Sequence, residues 1–315
     1  MFSGWSLGLL LFGFAPIFRN LNEDFGHFVA LAFFYFAASA LYVACYEANR
    51  YAFSPTEVKT YFSFSSFYFL IALICLAQYR VQPFTEWFFP FIGVMNAIYT
   101  CVGAILGFSK LSDGYGYSGI IDYPSLNGVV TVTCYFLTLP FCRNMRVKAL
   151  STVLILLAIL ASKSSTPLGA FSLGLIAYNA TTLKRVFFAI AAVTILLGTG
   201  YYLDPQLFNP QGRLEAWKVF FSVWVDTFPL FFGSGPGTFS SLAIETQQAK
   251  QYMVGHYYLY LHNEWLQILY ETGVIGLAFT VGIYAIALYK SFKRSDHYVV
   301  AALVSFGAAS LLVFP

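Results

Sequence analysis

The sequence predicts an all-α fold, a polytopic bundle of transmembrane helices, and three observations predict it. Only 10% of the 315 residues are charged and 59% are hydrophobic, with a mean hydropathy of +0.69; a water-soluble domain carries roughly a quarter of its residues charged. Apolar stretches of about 17–25 residues, the length a bilayer requires, recur from end to end. One segment, 204–272, breaks that texture with turn formers and polar residues. Such a chain cannot hide its apolar side chains in water, so its solvent is lipid.

Taken in order, the apolar runs begin at 3–18. That run has the size of a secretory leader, but no basic residue precedes it and no small-x-small cleavage site follows, so it counts as a membrane segment. Runs at 28–46, 61–79, 87–108, 126–142, 148–162, 166–181 and 185–203 follow, then two more at 273–291 and 297–314, giving about ten spans. Several are short, which leaves a re-entrant or differently split reading open for neighbouring runs. The chain divides into N-terminal membrane helices (1–203), a long polar loop (204–272) and C-terminal membrane helices (273–315). Its end at Leu311-Leu312-Val313-Phe314-Pro315, inside an apolar run with no polar tail, reads as a truncation.

Orientation follows from lysine and arginine in short loops. Arg143, Arg146 and Lys148 fall in one loop, Lys184 and Arg185 in the next but one, and Lys290, Lys293 and Arg294 in another. These loops belong on the cytoplasmic side. Alternation then puts the connector 109–125, the turn near Lys163 and the loop 204–272 on the opposite face, the periplasm of a bacterium. The same count makes the N-terminus periplasmic.

The net charge of +3 is small and scattered, and no run of like charges forms a basic tail, which excludes nucleic acid as a partner. The cysteines Cys45, Cys75, Cys101, Cys134 and Cys142 lie in or beside apolar runs without CxxC spacing, so they read as small packed hydrophobes. No His-Glu-x-x-His, no Asp-x-Asp and no helical ligand spacing among the four histidines calls for a metal.

Polar chemistry concentrates in 204–272. Asp204-Pro205 and Asn209-Pro210-Gln211-Gly212 end the preceding helix. From Arg213 onward, Trp217, Phe220, Phe221 and Trp224 recur at i, i+3, i+4 and i+7, the pattern of an amphipathic helix whose tryptophans suit a membrane interface. Gly233-Ser234-Gly235-Pro236-Gly237 lacks the Gly-Lys-Ser/Thr of a phosphate loop and reads as a tight turn that re-aims the chain. If the stretch from Asn263 is helical, Asn263, Gln267 and Glu271 form a polar face at i, i+4 and i+8 beside the membrane.

The most informative stretch is His262-Asn263, nine residues, Gly273, two residues, Gly276. With Gly212-Arg213, Trp217 and the Pro229–Gly237 stretch upstream, in the same order, it resembles the O-antigen ligase and polymerase family of bacterial envelope glycosyltransferases. The resemblance is close over about 205–280. Weaker echoes are Tyr123-Pro124-Ser125-Leu126-Asn127 and Ser162-Lys163-Ser164-Ser165-Thr166, where family members commonly carry Ser-Arg. Lys163 keeps the charge of that arginine but loses the bidentate fork that grips phosphate oxygens.

The resemblance implies a GT-C-like membrane enzyme of the bacterial inner membrane, with its active site facing the periplasm and a part in lipopolysaccharide biosynthesis. It implies metal-independent, inverting transfer of a glycan from undecaprenyl diphosphate to an acceptor hydroxyl, without a cofactor. Ligation to lipid A core leads, extension of the glycan by a polymerase stands close behind, and transfer to protein Ser or Thr comes third. Such an enzyme must stabilise a departing diphosphate and deprotonate a weakly acidic sugar hydroxyl. A permanently charged guanidinium suits the first task, which selects Arg213; an imidazole that titrates near neutrality suits the second, which selects His262. Lys163, Asn263, Gln267, Glu271 and Trp217 are the candidate substrate-binding residues. A rival from another class, a carrier that flips lipid-linked glycans, would need a cationic central cavity, whereas the cations here crowd the cytoplasmic loops.

Overall fold

The computed structural model describes residues 83–107, 117, 124–142, 144–181, 183–203, 217–218, 221, 230–233 and 263–311. Among them there is no strand, and the secondary structure is helical: α1 (Pro83–Leu106), α2 (Pro124–Thr138), α3 (Met145–Ala161), α4 (Ser165–Tyr178), α5 (Leu183–Leu203), α6 (Glu264–Lys293) and α7 (His297–Ser310). Each of the seven expected apolar runs from 87–108 onward carries one of these helices. The runs at 3–18, 28–46 and 61–79 lie outside the described residues.

Local chemistry sets the helix ends. Pro83 and Pro124 open α1 and α2, at the position where a missing N–H costs nothing. Leu139–Phe141 tightens into a 3-10 turn at the end of α2, around Pro140. Asn144 caps α3 by accepting the Arg146 N–H at 2.9 Å. The reversal from α3 to α4 is as tight as the sequence predicts, with Lys163 in the left-handed region at φ 47°. At the other end of this hairpin the Lys148 ammonium donates to the Tyr178 hydroxyl at 3.3 Å and lies 5.1 Å from its ring centre, tying the start of α3 to the end of α4.

The helices α2 and α7 form the centre. Helix α2 packs against α1, α3, α4 and α7, and α7 packs against α4, α2 and α6. Small residues let them approach. A side chain on Gly174 of α4 would overlap the Ser305 hydroxyl of α7 and the Phe136 ring of α2, and one on Gly128 of α2 would overlap Pro167 of α4. Close contact through glycine, alanine and serine is how helices associate where hydrophobic burial gives no net gain.

Polar side chains are buried within a largely apolar core, while large apolar side chains face outward. Asn96, Thr100, Asn127 and Thr131 are buried between α1 and α2. There the Asn96 amide donates to the Thr131 hydroxyl at 2.8 Å and to the Asn127 carbonyl at 3.3 Å, and the Asn127 amide donates to the Thr100 hydroxyl at 3.0 Å. Phe91, Ile105, Leu150, Phe187 and Ile195 meanwhile face outward, exposed. An apolar exterior over buried, hydrogen-bonding polar side chains suits a lipid solvent.

By length and composition, α6 is the one helix among the described residues that is long and apolar enough to cross a membrane, while stretches of α1, α2 and α7 are shorter apolar helices. The described residues are thus all-helical with one candidate membrane span; the ten-span count rests on the sequence.

Candidate functional site

The best-defined cluster of candidate residues lies at the start of α6. Asn263 is extended, with φ −155° and ψ 105°, and its side chain accepts the Leu266 N–H at 3.1 Å. It is a helix cap, so it does not stand in a row with Gln267 and Glu271 as the sequence reading expected. Glu264 takes its place. Glu264, Gln267 and Glu271 fall at i, i+3 and i+7 on one face and are 5%, 4% and 1% exposed. The Gln267 amide donates to a Glu271 carboxylate oxygen at 3.1 Å.

The second carboxyl oxygen of Glu264 is buried and has no hydrogen-bond partner among the described residues. Burial, and then the negative charge of Glu271, push its carboxyl up to about 8 from an ordinary value of 4.5. The first turn of a helix favours the ionised form, but the loss of solvent outweighs it here. Near neutral pH this side chain therefore holds a proton that it can donate to an oxygen acceptor, beside an amide and a carboxylate able to orient hydroxyl groups.

Gly273 breaks α6, with φ 67° and ψ −172°. Nine residues, Glu264–Thr272, stand before the break and twenty, Val274–Lys293, after it. Twenty residues at 1.5 Å each give about 30 Å, the thickness of the hydrocarbon core, so the segment after the break is long enough to cross on its own.

A break leaves the first N–H groups of the new helical segment without acceptors. Here the turn at 230–233 supplies them: the Val274 N–H donates to the Leu230 carbonyl at 3.0 Å and the Ile275 N–H to the Phe231 carbonyl at 3.3 Å. Gly233, at φ 72°, lies against the backbone of Glu271 and Gly273. It is the one residue of the 233–237 glycine cluster among the described residues; 234–237 lie outside them.

The remaining candidates are spread more widely. Lys163 is exposed on the α3–α4 turn and makes no ion pair among the described residues. Trp217 is half-buried and helical, and Lys218 and Phe221 are helical and exposed. Arg213 and His262 lie outside the described residues. The structure thus joins Gln267 to Glu271, caps their helix with Asn263, and adds Glu264.

The sequence model of the family described as O-antigen ligase matches residues 150–281. The chain carries an O-antigen ligase family domain. The domain runs from Leu150 in α3 to Val281 in α6, so it takes in the helices α4 and α5 as well as the 205–280 stretch whose motifs carry the resemblance. Lys163, Arg213, Trp217, His262 and the α6 stripe all fall inside it. Members of the O-antigen ligase family are integral membrane enzymes of the ligase and polymerase type that act on lipid-linked glycans. No curated protein matches the chain.

Sequence reasoning missed Glu264 because it began the helix one residue early. The missed signal was the asparagine itself: Asn immediately before an apolar periodic run marks a helix cap, and helical counting then starts at Glu264.

Proposed function

We propose that this O-antigen ligase family protein transfers a glycan from undecaprenyl diphosphate to an acceptor hydroxyl at the periplasmic face of the bacterial inner membrane. Transfer is inverting and needs no metal, and the acceptor is lipid A core. The observation that carries the reading is the buried Glu264–Gln267–Glu271 stripe, placed within the family domain, directly after His262-Asn263 and just before the membrane span.

In this reading His262 takes the proton of the acceptor hydroxyl as that oxygen attacks the anomeric carbon. Arg213 neutralises the charge that develops on the departing diphosphate, with an attraction strengthened at the low-dielectric edge of the membrane. Lys163 offers a second cation from the α3–α4 turn. Asn263, Gln267 and Glu271 hold the sugars or the histidine in line, and Trp217 anchors the loop 204–272 at the interface.

The test is transfer in vitro by purified protein, with a lipid-linked donor, EDTA, and lipid A core, free oligosaccharide and protein offered as acceptors. The reading predicts product on lipid A core in chelator, and a fall on the order of a hundredfold for Arg213→Ala. Product on oligosaccharide alone would make the protein a polymerase. Donor that crosses the membrane with its glycosidic bond intact would make it a carrier.

A further inference from the structure

The meeting of the 230–233 turn with the α6 break is built entirely from backbone. Two peptide N–H groups, of Val274 and Ile275, are released by the Gly273 break and are taken up by the carbonyls of Leu230 and Phe231. Peptide groups beside lipid must be paired within the protein, so the turn completes the membrane helix. Both glycines are demanded twice over. Gly233 and Gly273 have φ 72° and 67°, where other residues are strained. A Cβ on Gly233 would also stand 2.5 Å from the Glu271 carbonyl group and the Gly273 nitrogen, and one on Gly273 would overlap the Phe231 carbonyl. In each case the obstacle is backbone, which cannot swing aside as a side chain can.

The contact sits where position matters. Gly233 lies directly on the backbone of Glu271, whose carboxylate is held by Gln267. In sequence the turn lies between Arg213 and His262, and Gly273 lies eleven residues after His262. We propose that Gly233 and Gly273 are positioning residues: they lock the 230–233 turn to α6 at one fixed point, and this lock holds the Glu264–Gln267–Glu271 stripe in place during transfer. The proposal rests on the transferase reading above for its effect on rate, but the lock itself is a structural claim with its own readout.

The experiment pairs cross-linking with kinetics in the full chain. Leu230→Cys and Val274→Cys are introduced together, the membranes are oxidised, and linked peptides are identified by mass spectrometry; transfer is then measured before and after reduction. The lock predicts a disulfide in high yield and a cross-linked protein whose transfer rate stays within about twofold of the reduced form. Gly233→Ala and Gly273→Ala, placed separately in the same background, are expected to lower the cross-link yield and to cut kcat more than tenfold when the rate is normalised to folded, donor-binding protein, since loss of folded protein alone would lower kcat per total protein at unchanged KM but leave the normalised rate intact. Failure to cross-link in the parent pair overturns the proposal. So does a cross-linked protein that is inactive until reduced, because the contact would then have to open in each cycle. Alanine variants that keep both cross-link and kcat overturn it as well. If the parent protein transfers to no acceptor, the transferase reading fails while the cross-link still judges the lock.

Discussion

Replacing Glu264 with glutamine removes a buried ionisable group while keeping its shape, and the structure fixes the sign and scale of the effect. The carboxyl is 5% exposed, lacks a partner for one oxygen among the described residues, and is raised to about 8 by burial and by Glu271. Between 4.5 and about 8 the folded protein holds a proton that the unfolded chain has released, so stability falls as pH rises through that window and levels off above it. That displacement corresponds to a penalty on the order of a few kcal/mol, complete at the alkaline end. Glutamine pays none of it. Thermal midpoints of detergent-solubilised protein between pH 5 and 9 should therefore fall steadily for the wild type up to pH 8. Glu264→Gln should be flatter and higher at pH 8 by several degrees, at about 2–4 °C per kcal/mol for a chain of this size. A wild type insensitive to pH, or a glutamine variant less stable at pH 8, would refute the assignment of Glu264 as a buried, proton-holding group.

Three further outcomes follow from the same packing. Asn263→Ala removes the cap of α6 and should cost about 1 kcal/mol in thermal stability, whereas Asn263→Asp should restore most of it. Asn96→Leu deletes the donor to Thr131 and to the Asn127 carbonyl, and should destabilise the α1–α2 pair by roughly 1 kcal/mol, read as a lower midpoint in detergent. Gln267→Ala leaves the buried Glu271 carboxylate without its amide donor, and should lower transfer by roughly tenfold at unchanged protein yield.

The helices were legible in the sequence because lipid imposes a simple rule: apolar runs of sufficient length, cut by polar turns. From 87–108 onward every expected run carries a helix, and the tight turn at Lys163 lies where its neighbours predicted. Gln267 and Glu271 share a face as helical spacing required. What did not follow from spacing was where counting begins. Asn263 stops being helical to cap the helix, which shifts the buried acid to Glu264. The pairing of Gly233 with Gly273 was also hidden, since two glycines forty residues apart carry no periodic signal. Their meeting depends on a backbone break that only three-dimensional packing reveals.

The central proposal is that this protein, with its O-antigen ligase family match over residues 150–281, uses His262 to activate an acceptor hydroxyl against a lipid-linked glycan. The most direct measurement is single-turnover transfer by purified wild type and His262→Ala, with matched folding and donor binding, across pH 6 to 9 in EDTA. Loss on the order of a hundredfold or more in the variant, with donor affinity preserved and the wild-type pH dependence abolished, is the predicted result. A folded His262→Ala protein that transfers at the wild-type rate with the wild-type pH profile would contradict it.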